Sequence, residues 1–137
     1  MMEASKSFST ESLRLAREML HDAKLMLQSD RYRSAVDRAY YAMFHASRAA
    51  LHMHSLELPK THVGLRNLFG QHFLITDKLP KDLGKWLSQA FRLRQQGDYE
   101  VHAEIEKERV EETIANAESF LHTIAAYLQH KPEEHKQ

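Results

Sequence analysis

The sequence predicts an all-α fold, an up-and-down bundle of four to five helices, on three observations. The helix breakers are scarce, with four Gly and three Pro in 137 residues. Ala, Leu, Glu, Arg, Lys and Gln dominate, the residues that helices favour. Apolar residues recur at alternating spacings of three and four, and the strict alternation of a half-buried strand is absent.

The elements follow in order. Leu13, Ala16, Leu20, Ala23 and Leu27 form one stripe, which predicts a first helix over residues 10–28 with Ser9 or Thr10 as N-cap. Ser29-Asp30 ends it. A second helix over residues 31–55 carries Val36, Tyr40, Met43, Phe44 and Leu51 on one broad face. Ala35, Ala39, Ala42, Ala46, Ala49 and Ala50 fill the next sector. Its polar remainder is Ser34, Asp37, Arg38, Tyr41, His45, Arg48 and His52. An apolar arc this wide predicts burial on more than one side. The alanine sector lets another helix come close, within the bundle or across a dimer. A third helix over residues 61–75 turns Leu65, Leu68, Phe69, His72 and Phe73 inward, with Thr61 suited to capping. The fourth, over residues 81–96, has Leu83, Trp86, Leu87, Ala90 and Phe91 as its stripe and Gly97 as its stop. The fifth spans residues 103–129 along Val110, Ile114, Ala117, Leu121, Ile124 and Leu128. Short connections favour antiparallel neighbours.

The length suits a single helical domain over residues 1–137, with a core at about 10–129 and flexible ends at 1–8 and 131–137. No cysteine is present, so disulfides, thiolate metal sites and cysteine nucleophiles are excluded. Nineteen basic residues balance nineteen acidic ones. No global field is available to hold a polyanion, and nucleic-acid binding would need a local basic patch. No apolar run reaches the roughly 18 residues of a membrane span, and the first residues contain no apolar leader core. The expected setting is the cytoplasm, without membrane contact.

The most informative residue is Arg94. It continues the spacing of Leu83, Leu87, Ala90 and Phe91, whereas Arg92 points the opposite way. A guanidinium on an inner face must be paired or must line a cleft. Asp98 and Tyr99, just beyond, are its local candidate partners. The polar face of the second helix, with Tyr41, His45 and Arg48, is a candidate to join Arg94 in a phosphate-binding cleft. His62, at the start of the third helix, is placed to meet an anion or to pack beside a capping Thr61. His72 reads as a core histidine. Paired Glu-x-x-His motifs are lacking, and Glu118 with His122 needs ligands from elsewhere, so neither a metal nor another cofactor is expected. Glu104, Glu106, Glu108, Glu111 and Glu112 suit the positive end of the fifth helix.

The segments RSAVDRAYYAMFHASRAAL (residues 33–51), PKTHVGL (59–65) and RQQGDYE (94–100) resemble, in that order, the small bacterial and archaeal HEPN proteins. The resemblance covers about residues 13–128. It implies a homodimer of helical subunits and a minimal nucleotidyltransferase as partner, often as a toxin–antitoxin pair. Many HEPN proteins are metal-independent ribonucleases, and their signature is an Arg, four to six residues, then a His. Here four residues separate Arg94 from Tyr99, and seven separate it from His102. From Arg92 to His102 the gap is nine. A tyrosine with a pKa near 10 is a poor base at neutral pH. Cleavage of RNA would therefore need a histidine brought in by folding, His102 or His45, beside Arg94. In related pairs the partner adds nucleotides to a tyrosine near the motif, and Tyr99 is the matching position. The resemblance thus implies a nucleotide- or RNA-binding cleft at Arg94, Asp98, Tyr99, Tyr41, Arg48 and His62. The alternative is a non-catalytic dimeric interaction protein in which Arg94, Asp98 and Tyr99 form a structural clasp.

Overall fold

The computed structural model describes residues 2–54, 56–99 and 104–130, with side chains described for 7–54, 56–97 and 104–130. The ends at Met1 and 131–137 lie outside the described residues, as does His102. The described residues form five α-helices: α1 (Met2–Gln28), α2 (Tyr32–Met53), α3 (His62–Phe69), α4 (Asp82–Tyr99) and α5 (Lys107–His130). No strand occurs among the described residues, and the fold is an all-α bundle as the periodicity required. No described helix is long and apolar enough to cross a membrane.

Helix α2 is the hub and packs against α1, α3, α4 and α5. Both of its apolar sectors are used. Val36, Tyr40, Met43 and Leu51 are fully buried, and so are Ala35, Ala39, Ala42, Ala46, Ala49 and Ala50. The alanine sector therefore closes within one chain, so the wide apolar arc needs no second copy to cover it. The approach of α1 to α2 is close enough for Ser9 Oγ to donate to the Ala49 carbonyl at 2.7 Å. A larger side chain than alanine in this seam would hold the backbones apart.

Three expected boundaries change. Helix α1 begins at Met2, so residues 2–8 are helical and neither Ser9 nor Thr10 is a cap. Ser9 is buried at 2 % exposure, its hydroxyl directed across to α2 instead of back to its own helix start. Gly97 does not stop α4, which runs on to Tyr99. The glycine serves a close approach: a Cβ there would lie 3.1 Å from Ile105 Cδ1. Helix α5 begins at Lys107 instead of residue 103, so Glu104 and Glu106 precede it and Glu108 stands in its first turn.

The remaining boundaries lie close to expectation. Between α1 and α2, Asp30 takes a left-handed φ of 57° while Arg31 N–H donates to the Met26 carbonyl at 2.8 Å. Asp and Asn tolerate this conformation better than most residues. Thr61 caps α3, its Oγ1 accepting from Gly64 N–H at 2.9 Å. α3 passes directly into a π-helical turn, Gly70–Leu74, which keeps Phe73 buried in the core beside Phe69. On α4, Leu83, Leu87 and Ala90 are buried as the stripe predicts.

Candidate functional site

Arg94 sits one turn beyond Ala90 on the inward side of α4, and its side chain is only 21 % exposed. Arg92 is exposed. The partners that the fold supplies come from α2. Arg94 Nε donates to Asp37 Oδ1 at 2.8 Å, and Nη2 donates to Tyr41 Oη at 3.3 Å. Asp37 and Tyr41 are four residues apart and so share one helix face. The guanidinium carbon lies 5.1 Å from the Tyr41 ring centre and 5.7 Å from that of Tyr40. The local candidates Asp98 and Tyr99 fall in the last turn of α4, where side chains are not described. The described clasp therefore runs from α4 to α2 through Asp37 and Tyr41.

The second component enters from α3. With Thr61 fixing the helix start, His62 turns against α2, and its Nδ1 meets the Tyr40 hydroxyl at 2.8 Å. The His62 ring lies against Phe44 at 4.9 Å between centres, Tyr40 at 5.6 Å, Tyr41 at 5.8 Å and Phe91 at 5.9 Å. Tyr40 is fully buried. Burial pushes its hydroxyl well above the usual phenol range against the opposing pull of Arg66 and Arg94, so it stays protonated. Burial, then Arg94 and Arg66, hold His62 below the ordinary imidazole range.

Arg66, one turn after His62 on α3, completes the cluster and was not among the sequence candidates. Its guanidinium carbon stacks 4.0 Å from the Phe91 ring centre. Its Nε is buried with no hydrogen-bond acceptor among the described residues. The same side chain borders an open groove of about 540 Å³ with Asn67, Gly70, Gln71, Leu74 and Lys81. The available signal was its spacing of four from His62, which places both on one face of α3.

The other candidates divide by distance along α2. His45 stands at the rim, 6.2 Å from Tyr41 between ring centres, and its pKa is lowered by burial and secondarily by Arg48. Arg48 follows Asp37 by eleven residues, about 16 Å along a helix. Its guanidinium lies over Phe8 of α1 and Phe44, and His52 stacks on Phe8 at 4.0 Å. The far half of the polar face is thus packed against α1. His72 contacts Phe73 and His54 at the opposite end of the core. Glu118 pairs with Lys24, not with His122. Among the described residues no three potential metal ligands gather.

The site thus combines two guanidinium groups, a neutral histidine and aromatic rings. Guanidinium groups recognise phosphate oxygens, and ring faces accept stacked bases. Comparison with known proteins agrees with the fold. A HEPN domain model matches residues 9–128. A UPF0332 protein of Thermotoga maritima is 41% identical over 116 residues, covering 85% of this chain and 87% of its own. A protein of Methanocaldococcus jannaschii with the name "Putative toxin" is 34% identical over 116 residues, 85% of each chain. A second of that name from the same organism is 32% identical over 113 residues, covering 82% of this chain and 76% of its own. By the extent of these matches and by its helical architecture, the chain belongs to the HEPN domain family.

Proposed function

We propose that this chain is the toxin-type HEPN subunit of a two-component module, working in the cytoplasm with a minimal nucleotidyltransferase and binding nucleotide or RNA at the cleft around Arg94. The observation that carries this reading is the inward Arg94, held by Asp37 and Tyr41 and grouped with His62 and Arg66 around aromatic rings. The names of the two archaeal relatives support the toxin role. A homodimer belongs to the proposal on the strength of the family resemblance, because α2 is covered within one chain. Metal-independent cleavage of RNA is the finer form of the reading. It would draw on a histidine near Arg94, either His45 at the rim of the cluster or His102, which lies outside the described residues.

The test is co-expression with the nucleotidyltransferase gene beside this one. The expected result is growth arrest by this chain alone, relief by the partner, and a nucleotide-sized mass increment on this chain that Tyr99→Phe abolishes. Purified chain is expected to bind RNA, and Arg94→Gln to weaken that binding. No arrest, no RNA binding and no association with the partner would defeat the reading.

A second reading is favoured by one specific observation. The Arg94–Asp37 ion pair ties α4 to α2 inside the chain, as a purely structural clasp in an interaction protein would. Under that reading Arg94→Gln lowers stability and leaves RNA binding by the remaining folded protein unchanged.

A further inference from the structure

Within the proposed nucleotide- or RNA-binding cleft, on which this inference rests, we propose that the phosphate group is seated by Arg66 and His62, with His62 acting as a neutral Nε2–H donor. Arg94 then serves as a positioning residue.

The charges set the centre of the seat. Arg94 is compensated by Asp37 at 2.8 Å. Arg66 has no carboxylate within ion-pair distance among the described residues, and its buried Nε lacks an acceptor. Leaving a buried donor without an acceptor is unfavourable, and an anion on the same guanidinium would offset this in part. The uncompensated positive charge of the cluster therefore lies at Arg66. Packing on Phe91 fixes its plane in advance of binding.

The hydrogen bond to Tyr40 sets the form of His62. A fully buried hydroxyl needs an acceptor for its hydrogen, and His62 Nδ1 is the one that the described residues provide. With Nδ1 accepting, a neutral imidazole carries its hydrogen on Nε2. Among the described residues, the charged and titratable groups that face it are Tyr40 and Tyr41 of α2, Arg66 of α3 and Arg94 of α4, the last paired with Asp37. The two cations disfavour a third positive charge, so His62 stays neutral until an anion arrives. In this form it donates a hydrogen bond and offers no free lone pair as a base. Proton transfer in any cleavage reaction then falls to another group.

The experiment uses the full chain with ¹⁵N-labelled histidine, titrated with inorganic phosphate and with adenosine 5′-monophosphate and followed by imidazole NMR. The free protein should show His62 in the Nε2–H form. Each ligand should shift His62 saturably and raise its pKa. Arg66→Gln should weaken inorganic phosphate binding by tenfold or more, Arg66→Lys should retain most of it, and Arg92→Gln should match wild type. An Nδ1–H tautomer, a His62 signal unmoved by phosphate, or wild-type phosphate affinity in Arg66→Gln would each overturn the assignment. If Arg66→Gln does not fold, the tautomer and the Arg66→Lys titration decide it. RNA binding that survives Arg66→Gln while Arg94→Gln abolishes it would sink this seat and leave the cleft reading standing. Phosphate binding at His62 without any RNA binding would do the reverse.

Discussion

Replacing Arg94 by alanine separates an inward-facing arginine from a surface one. The substitution removes a charge-assisted hydrogen bond to Asp37 and the packing of a guanidinium on Tyr41. A hydrogen bond to a charged group contributes about 1.5–3 kcal/mol. Asp37 is 39% exposed, so solvent screening places this one toward the lower end. Contact with the tyrosine ring adds about 0.5–1 kcal/mol. Arg94→Ala should therefore destabilise by about 2–3 kcal/mol, and Arg92→Ala by no more than about 0.5 kcal/mol. The assay is urea unfolding at neutral pH for wild type, Arg94→Ala, Asp37→Ala and the double variant. The double-mutant cycle should return a coupling of about 1 kcal/mol, since each single change already breaks the same contact. A coupling near zero, or Arg94→Ala as mild as Arg92→Ala, would refute the inward clasp.

Two other stability effects and one pH effect follow from the same geometry. In Gly64→Ala, the new Cβ would sit 2.8 Å from Thr61 Oγ1 and 2.9 Å from Pro59 Cβ, so the cap of α3 must shift. The cost should be about 1–3 kcal/mol by thermal or urea unfolding, and a neutral result would show that the connector yields freely. Tyr40→Phe keeps the buried ring but strands His62 Nδ1, and should lower stability by about 1 kcal/mol. Equal stability of the two proteins would count against that hydrogen bond. His45 and His62 both have lowered pKa values in the folded chain. The unfolded chain then binds protons first, so their contribution is fully present above an unfolded pKa near 6.5 and is lost as pH falls below it. Unfolding free energy measured from pH 7.5 to 5 should decline, and less steeply in a His45→Gln, His62→Gln variant. An unchanged slope in that variant would assign the pH dependence elsewhere.

How much of this was legible in the sequence depends on whether a feature is local. The stripes of α4 and α5, and the inward register of Arg94, follow from a period of 3.6 residues alone. The partner of Arg94 does not, because Asp37 lies 57 residues upstream and only the packing of α4 on α2 brings it near. Asp98 looked suitable because it was close along the chain. Ser9 looked like a cap because it precedes an apolar stripe, yet it is placed by a contact with Ala49, 40 residues away. Gly97 carried the composition of a stop, although its small size answers to Ile105 across the bundle. Arg66 was missed for a related reason. On α3 alone it is one polar residue beside buried Leu65, and its meaning comes from Phe91, delivered by another helix.

The same helix, α2, supplies both the centre of the core and one side of the proposed site, which would link function to stability. Tyr40 and Tyr41 are consecutive, so their side chains leave the axis about 100° apart. One turn of the helix therefore places Tyr40 at 0 % exposure while Tyr41 stays half-buried at the Arg94 guanidinium. The Arg94 cluster sits at the outer edge of the hydrophobic core, with polar atoms on the rings where they emerge. Such a site is rigid without a metal or a disulfide, because the packing that fixes Tyr40 also fixes His62 through one hydrogen bond. The consequence is that a loss of activity in a cleft variant cannot by itself distinguish chemistry from folding. Arg66 is the useful exception. Its charge is not part of a described ion pair, so exchanging it for Gln should alter anion binding more than it alters the fold.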